Sequence, residues 1–446
     1  MDDYLRLADR IAGDIASGRL QPGQRLPPQR AFARRRGIAA STAGRVYAEL
    51  VRRGLVVGEV GRGTFVRASA PAPDGRALTE PVRYGHALGG GGRARPVNLE
   101  LNYPSAPDQS ALLAPALAPL LRPDVLTEAL RPAAPTGTPE AREAVAGLLG
   151  CPPERLLFTG NARQAIAAAL ATLVRPGGRV GVEPLTYPLV KEVAGRLGIT
   201  LVPLTVDEGG VVAASVAAAH RSAPLSALYL QPTLHNPTSL TTTPERSDQL
   251  ADVLRDLRMP LVEDRIWSFL RPDAPPSFAE RVPELAYVVD GLSKRVAPGL
   301  TAGFLVVPER RMEKVAAAVR SGGWSAGRFA LAAAERWIAD GTVARLVAAK
   351  RADAGRRQRI VARGLAGFRV RSYPRAYFAW WELPSGWRAD AFAGAAAAHG
   401  ISVTPGTAFA VDPSRTPDAV RLGLASAEVG ELEWAVGVLA GVARGE

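Results

Sequence analysis

A small α+β module of three helices and a hairpin, then an α/β domain with a mostly parallel central sheet, then a smaller C-terminal α+β subdomain: this is the fold class the sequence predicts. Three observations carry it. Apolar residues recur at helical spacing in three stretches before residue 54, and two short β-type runs follow. From Val97 onward, short β-branched runs alternate with Ala-rich helical stretches, the rhythm of strand–helix–strand units. The chain has 446 residues, more than one ordinary core holds, so two or three domains are expected.

Residues 4–17 place Leu5, Ala8, Ile11, Ala12 and Ile15 on one helical face, and Gly18 offers a stop. Pro28 suits the first turn of a second helix that runs to Arg36, and Gly37 supplies the turn after it. A third helix, Ser41 to Arg53, is expected to turn Val46, Leu50 and Val51 inward and to end at Gly54. The run LVVGEVGRGTFV reads as a hairpin. Three helices and a hairpin make a winged helix-turn-helix, spanning residues 1–68. Residues 69–96 are rich in Ala, Pro and Gly and carry no apolar periodicity, so they read as a linker. In residues 97–446 the runs RVGVEP, ITLVPL, ALYLQP, PLVED, AYVVDG and FLVVP are separated by helical lengths. From about residue 350, AYFAWWEL and ISVTPG flank an Ala-rich helix, which predicts the smaller subdomain.

Charge is concentrated at one end. Residues 1–70 hold 13 of the 55 Lys+Arg and 6 of the 42 Asp+Glu, a balance of +7 out of the chain's +13. That density suits a module that binds a polyanion. The single cysteine, Cys151, rules out a disulfide framework within the chain and fits a reducing compartment. The first residues lack the basic and apolar regions of a signal peptide, and no long apolar run suggests a membrane span. A cytoplasmic location is expected, with no membrane partner and no metal. Four lysines, Lys191, Lys294, Lys314 and Lys350, stand among the 55 basic residues.

The segment Leu26 to Val66, LPPQRAFARRRGIAASTAGRVYAELVRRGLVVGEVGRGTFV, resembles the GntR family of winged-helix regulators. The resemblance implies double-stranded DNA as partner. Ser41, Thr42 and Arg45 then lie near the start of the helix that enters a major groove. Arg30 follows phosphates, and Arg62 and Thr64 belong to the wing. The chain departs from the family at Ala39-Ala40 and at Pro28-Gln29, which bears on sequence preference rather than on fold.

Residues 97–446 resemble the class I/II, fold-type-I aminotransferases, whose cofactor is pyridoxal 5'-phosphate. Pyridoxal phosphate chemistry needs an amine for the aldehyde, a carboxylate opposite the pyridine nitrogen, and donors for the phosphate and the phenolate oxygen. Lys294, in VVDGLSKRVAPGL, resembles the lysine that forms the Schiff base, with Ser293 beside it. The other three lysines read as solvated surface amines. Asp264, ending PLVED, matches the partner of the ring nitrogen; a carboxylate there points into the crevice at the strand ends. Asn236, in QPTLHNPTS, matches the donor to the phenolate, and its neighbour His235 reads as a turn or pocket-lining residue. Tyr187 matches the aromatic that stacks on the ring. Gly160, Asn161 and Ala162, in FTGNARQAI, match the phosphate loop at a helix start. Arg421, in VRLGLAS, matches the arginine that binds a substrate carboxylate. The family's phosphate-gripping arginine is Thr301 here, its phosphate-donating Ser or Thr is Gly291, and its tyrosine after the aspartate is replaced by Ile266 and Trp267. One charged phosphate contact contributes about 1.5–3 kcal/mol, so cofactor affinity is expected to be weakened. Arg295 is a candidate to compensate.

The two resemblances in this order are those of MocR-type regulators. They imply a homodimeric, DNA-binding transcription regulator that senses pyridoxal phosphate or a small amino compound. Two alternatives stay open: a pyridoxal-phosphate-dependent transaminase with an accessory DNA-binding module, and a cofactor-free sensor or scaffold.

Overall fold

The protein is described from a computed structural model that covers residues 3–16, 19–20, 24–52, 55–59, 63–66, 96–299 and 302–446. Helices α1 (Asp3–Ala16), α2 (Gln29–Arg36) and α3 (Ala40–Arg52) pack around Ala8, Ile11, Ile15, Phe32, Val46 and Leu50. Gly37 caps α2 in the left-handed conformation, at φ 63°, which only glycine adopts without strain. The wing pairs β1 (Val56–Glu59) with β2 (Gly63–Val66) antiparallel. Leu26 and Val66 close it, with Leu26 N donating to Thr64 O at 2.7 Å and Val66 N to Gln24 O at 2.9 Å. One expectation is corrected: Val51 is 43% exposed. The buried stripe of α3 runs Ala43, Val46, Tyr47, Leu50, and residue 51, turned about 100° from Leu50, falls outside it. Most of the predicted linker, residues 69–95, lies outside the described residues, as do Arg62 and Thr301.

Strand β3 (Val97–Asn98) opens the second part of the chain. Then follow β4 (Leu156–Thr159), β5 (Arg179–Val182), β6 (Thr200–Pro203), the small hairpin β7 (Val206–Asp207) and β8 (Gly210–Val211), and β9 (Ala227–Leu230). Strands β10 (Leu261–Asp264), β11 (Ala286–Gly291) and β12 (Gly303–Val306) complete the large sheet. Its seven strands lie in the order β4-β12-β11-β10-β9-β5-β6. Strand β12 runs antiparallel to both neighbours, and the other pairings are parallel. Strands β4, β9, β10, β11 and β12 are buried at every position. Both faces are covered by helices, which is why these runs read as continuous apolar stretches rather than alternating ones.

The long helix Thr342–Gly364 leads to a second sheet. Strands β13 (Arg369–Arg371), β14 (Phe378–Glu382), β16 (Thr404–Pro405) and β17 (Ala419–Gly423) form it, antiparallel, in the order β13-β14-β17-β16. Strand β15 (Ile401–Ser402) instead pairs in parallel with β3, about 300 residues earlier in the chain. The core here holds Trp381, Phe392, Leu422 and Leu439. Among the described residues, no helix is long and apolar enough to cross a membrane.

Candidate cofactor pocket and nucleic-acid interface

The parallel strands of the large sheet end together, and their C-terminal loops enclose a cavity of about 550 Å³. Asn161, Ala162, Tyr187, Asn236, Asp264, Ser293, Lys294 and Arg421 all line it. Sequence positions 260 apart are thereby brought to one place.

Lys294 sits in the four-residue helix Leu292–Arg295 that follows β11. Its Nζ donates to Asn102 O at 2.7 Å, and lies 3.9 Å from the ring centre of Tyr103 and 5.2 Å from that of Trp267. Burial, and then the nearby cations Arg421, Arg163 and Lys350, lower its pKa to about 7. An amine held near neutrality is a nucleophile at physiological pH.

Asp264 ends β10 and is buried. Its Oδ2 accepts from Tyr229 OH at 2.7 Å and Gln231 Nε2 at 2.8 Å, and its Oδ1 accepts from Ile266 N at 3.0 Å. Three of about four lone-pair sites are used, which leaves one on Oδ1. Burial raises the Asp264 pKa while these three donors oppose the rise. Gln231 also binds the Asn236 turn, its Oε1 accepting from Asn236 N at 3.2 Å. The two predicted residues are thus held by one glutamine.

Arg421 is buried on β17, and its Nη2 donates to Glu100 O and to Thr404 Oγ1. Burial lowers its pKa to about 10, which leaves it charged at neutral pH. Glu100 also lines the cavity; burial raises its carboxyl to about 7, against the pull of Arg421.

The phosphate-loop region differs from expectation in one residue. Gly160 does not line the cavity, and its N–H is taken by Trp324 O at 3.0 Å. The helix Ala162–Leu173 starts instead at Asn161, whose side chain accepts from Gln164 N at 3.0 Å. Ala162 and Arg163 therefore present the first-turn N–H groups, which no intrahelical acceptor reaches. Arg163 was not singled out by the sequence; it is exposed, lines the cavity, and its guanidinium has no hydrogen bond or ion pair among the described residues. Arg295 turns away: it is buried, ion-paired with Asp290 and stacked over Phe269 at 5.2 Å. Gly291 has a steric reason, since a Cβ there would meet Ala302 O at 2.9 Å. A serine or threonine at that position would need the backbone to move.

His235 is buried against Thr238 Oγ1 at 2.8 Å and Leu185 O at 2.9 Å, and burial lowers its pKa to about 4. It lines a separate cavity of about 170 Å³ rather than the large one. Lys350, read from the sequence as solvated, is fully buried, and Lys191 is half-buried with Nζ on Ala410 O at 3.1 Å. Lys314 is exposed, as expected.

On the N-terminal module, Arg30, Ser41 and Arg45 are exposed, and Thr42 and Thr64 are half-buried. The Arg45 guanidinium lies 4.0 Å from the ring centre of Tyr4, which fixes its direction on α3. Arg34, Arg35 and Arg36 extend the exposed basic face at the end of α2.

Fold and pocket together define a winged helix-turn-helix module joined to an aminotransferase-like domain. Residues 127–439 match the model of the family "Aminotransferase class I and II", and residues 3–66 match "Bacterial regulatory proteins, gntR family". The chain belongs to the class I and II aminotransferase family, in the MocR-type arrangement that adds a GntR domain at its N-terminal side. It is 27% identical over 444 residues to YdeF of Bacillus subtilis, named an uncharacterized HTH-type transcriptional regulator, covering 98% of this chain and 93% of that protein. It is 26% identical to PdxR of Corynebacterium glutamicum, an HTH-type pyridoxine biosynthesis transcriptional regulator, over 68% of this chain and 65% of that one. Among solved structures, an archaeal alanine:glyoxylate aminotransferase shares the fold, with TM-score 0.72, 19% identity, and coverage of 79% of this chain and 92% of that one.

Proposed function

We propose that this protein is a DNA-binding transcription regulator whose aminotransferase-like domain senses pyridoxal phosphate, or a small amino compound through it. One observation carries the reading: a single chain holds both an exposed, arginine-bearing helix of groove-reading type and a cavity built around an amine poised near neutrality. The names of YdeF and PdxR support it.

The residues fit the cofactor. Asn102 Nδ2, Asn236 Oδ1 and Arg421 Nε are buried without a partner, and all three residues line the cavity. Unfilled hydrogen-bonding capacity converging on one space indicates a ligand. Lys294 would hold the aldehyde, Asp264 would face the ring nitrogen, Asn236 the phenolic oxygen, and Tyr187 a ring face. Ser293, the Ala162 and Arg163 N–H groups and the Arg163 guanidinium would take the phosphate. Arg421 would bind a carboxylate on the sensed compound. When bound, the cofactor would supply an electron-withdrawing ring to an amine held beside it.

Arg163 stands in for the charge the family carries at position 301. Arg163→Ala is expected to weaken pyridoxal phosphate binding about 10- to 100-fold, at about 1.5–3 kcal/mol for a charged contact. Binding of pyridoxal, which has no phosphate, should change little. Equal losses for both ligands in an equilibrium titration would remove Arg163 from the phosphate.

The assembly proposed is a homodimer. Leu121 and Leu130 flank the helix Pro123–Ala129 and stand 63% and 70% exposed, apolar surface that a second copy would cover. The location proposed is the cytoplasm, where DNA is reached. The paired Lys294, Asp264, Asn236 and Arg421 also favour a second reading, transamination with an accessory DNA-binding module. Sustained keto-acid production from an amino acid would establish that reading; turnover far below DNA-binding response times supports the sensor.

The experiment that tests the proposal is the visible spectrum of the purified protein with pyridoxal phosphate. A yellow band in the wild type that is missing from Lys294→Ala is the expected result. No band in either protein would overturn the cofactor reading and leave a cofactor-free sensor or scaffold.

A further inference from the structure

In a chain whose 55 basic residues include four lysines, two of the four meet at one turn, Lys294 facing the cavity and Lys350 behind it. Lys350 is 0% exposed, on the long helix Thr342–Gly364. Its Nζ donates to Val296 O at 2.6 Å and to Lys294 O at 3.1 Å. Both acceptors lie at the C-terminal end of the short helix Leu292–Arg295, where carbonyls have no intrahelical donor left and where a cation is favoured. A guanidinium is planar and needs a wide fork, whereas an ammonium is compact and carries three donors. The site therefore demands the residue type that the rest of the chain avoids.

We propose that Lys350 is a positioning residue for Lys294: its buried ammonium ties the turn that carries the reactive amine to the long helix. This inference rests on the reading of Lys294 as the cofactor amine. Lys350 touches the backbone of Lys294 and of Val296, not the cavity, so it acts through the turn that carries Lys294. Burial lowers the Lys350 pKa to about 7, and its charge is one of the cations that hold Lys294 down. The others facing Lys294 are Arg421, from β17, and Arg163, from the helix Ala162–Leu173. Asp264 and Glu100 are the acidic groups of the same cavity. On the long helix, Asp353 is paired with Arg356 and Arg357 and accepts from Tyr377 OH at 3.1 Å.

That helix has anchors of its own. Arg357 donates to the Leu424 and Ala427 carbonyls, Gln358 to Ala376 and Phe378, and Tyr377 OH to Lys350 O at 2.8 Å. Removing the Lys350 ammonium leaves these in place. Lys350→Met deletes both donors and charge; Lys350→Gln keeps a donor and deletes the charge. Tyr377→Phe loosens the same helix without touching Lys294.

The test uses two probes on the full chain. One is pyridoxal phosphate, followed as growth of the yellow band across pH. The other is reductive methylation of Lys294 by formaldehyde with cyanoborohydride as hydride donor, in cofactor-free protein, followed by peptide mass spectrometry. Lys350→Met should slow capture about tenfold, and should shift the pH midpoint of Lys294 methylation upward, as loss of a nearby like charge requires. Lys350→Gln should show the midpoint shift but recover most of the rate at high pH. Tyr377→Phe should lower thermal stability with both readouts at wild-type values. Wild-type rates and midpoint in Lys350→Met would overturn the proposal, whatever its melting temperature, and so would identical effects from Tyr377→Phe. If the wild type forms no yellow band, the cofactor reading fails, and the methylation midpoint still decides the Lys350 inference.

Discussion

Lys294→Ala is expected to abolish the yellow band and to weaken pyridoxal phosphate binding by roughly two orders of magnitude or more. A reversible covalent link would be lost, leaving polar contacts of about 1–3 kcal/mol each. The pH dependence has a defined sign. The Lys294 pKa is lowered from 10.5 to about 7 by burial and by Arg421, Arg163 and Lys350. The uncharged amine is the reactive form, so capture rises as pH passes through 7 and levels off above it. At pH 8 about nine-tenths of such an amine is uncharged, against less than about 1% of an ordinary lysine. Stopped-flow absorbance between pH 6 and 9 checks this. A rate still climbing tenfold per unit at pH 9 would mean that Lys294 is an ordinary surface amine. The same shift has a consequence for stability. The folded protein holds Lys294 less readily protonated than the unfolded chain does, so this group opposes folding below its unfolded value. Its penalty is largest below pH 7 and fades as pH rises toward 10.5, the unfolded value.

DNA binding is expected to fall steeply with salt. A protein that neutralises 6–10 phosphates loses about 10³- to 10⁵-fold in affinity between 50 and 200 mM salt. Duplex DNA selected from a random pool by the protein itself supplies the probe. Arg45→Ala should cost about 1–3 kcal/mol and relax the preferred sequence at one position, as expected of a base contact. Arg30→Ala should weaken all duplexes alike and flatten the salt slope by about one, as expected of a phosphate contact. An Arg45→Ala variant with the wild type's selected sequence and affinity would remove α3 from the groove. Val51, exposed on the same helix, lies off its buried stripe.

Much of the site was legible because strand ends announce themselves. Asp264 closes an apolar run, and a strand end alone points it into the crevice; Lys294 and Ser293 also follow such a run, and the resemblance to the aminotransferase loop marked them out. What local patterning does not carry is pairing across hundreds of residues. Nothing in Val97–Asn98 shows that it lies beside Ile401–Ser402. Glu100, Asn102 and Tyr103 consequently went unread, although Asn102 O accepts from Lys294 Nζ. Gln231 was missed for a related reason: its role is to join Asp264 to the Asn236 turn, a relation between two loops. Arg163 could have been found, since an arginine in the first turn of a phosphate-loop helix is a visible signal. Lys350 could not, because a lysine in an Arg-rich amphipathic helix looks solvated until its neighbours are known. Gly291 reads as the place where the family's phosphate donor is lost, and Gly160 as a phosphate-loop residue. Packing against Ala302 O explains the first, and the Trp324 carbonyl takes the N–H of the second.

The wing also approaches the small sheet. The Arg388 guanidinium lies 4.8 Å from the ring centre of Phe65, on β2, and 3.5 Å from Asp418, just ahead of the strand that carries Arg421. A ligand held at Arg421, as proposed, and a duplex on the wing would therefore act on neighbouring parts of one chain. Linkage requires that each change the other's affinity by the same factor.

That reciprocity makes the most direct test a single measurement of DNA affinity, at fixed salt and protein concentration, with and without saturating pyridoxal phosphate, in the wild type and in Lys294→Ala. The expected result is a shift of about 5-fold or more in the wild type, and none in Lys294→Ala. Equal affinities in all four combinations, with the yellow band present in the wild type, would contradict it: the protein would bind its cofactor without reporting it to DNA.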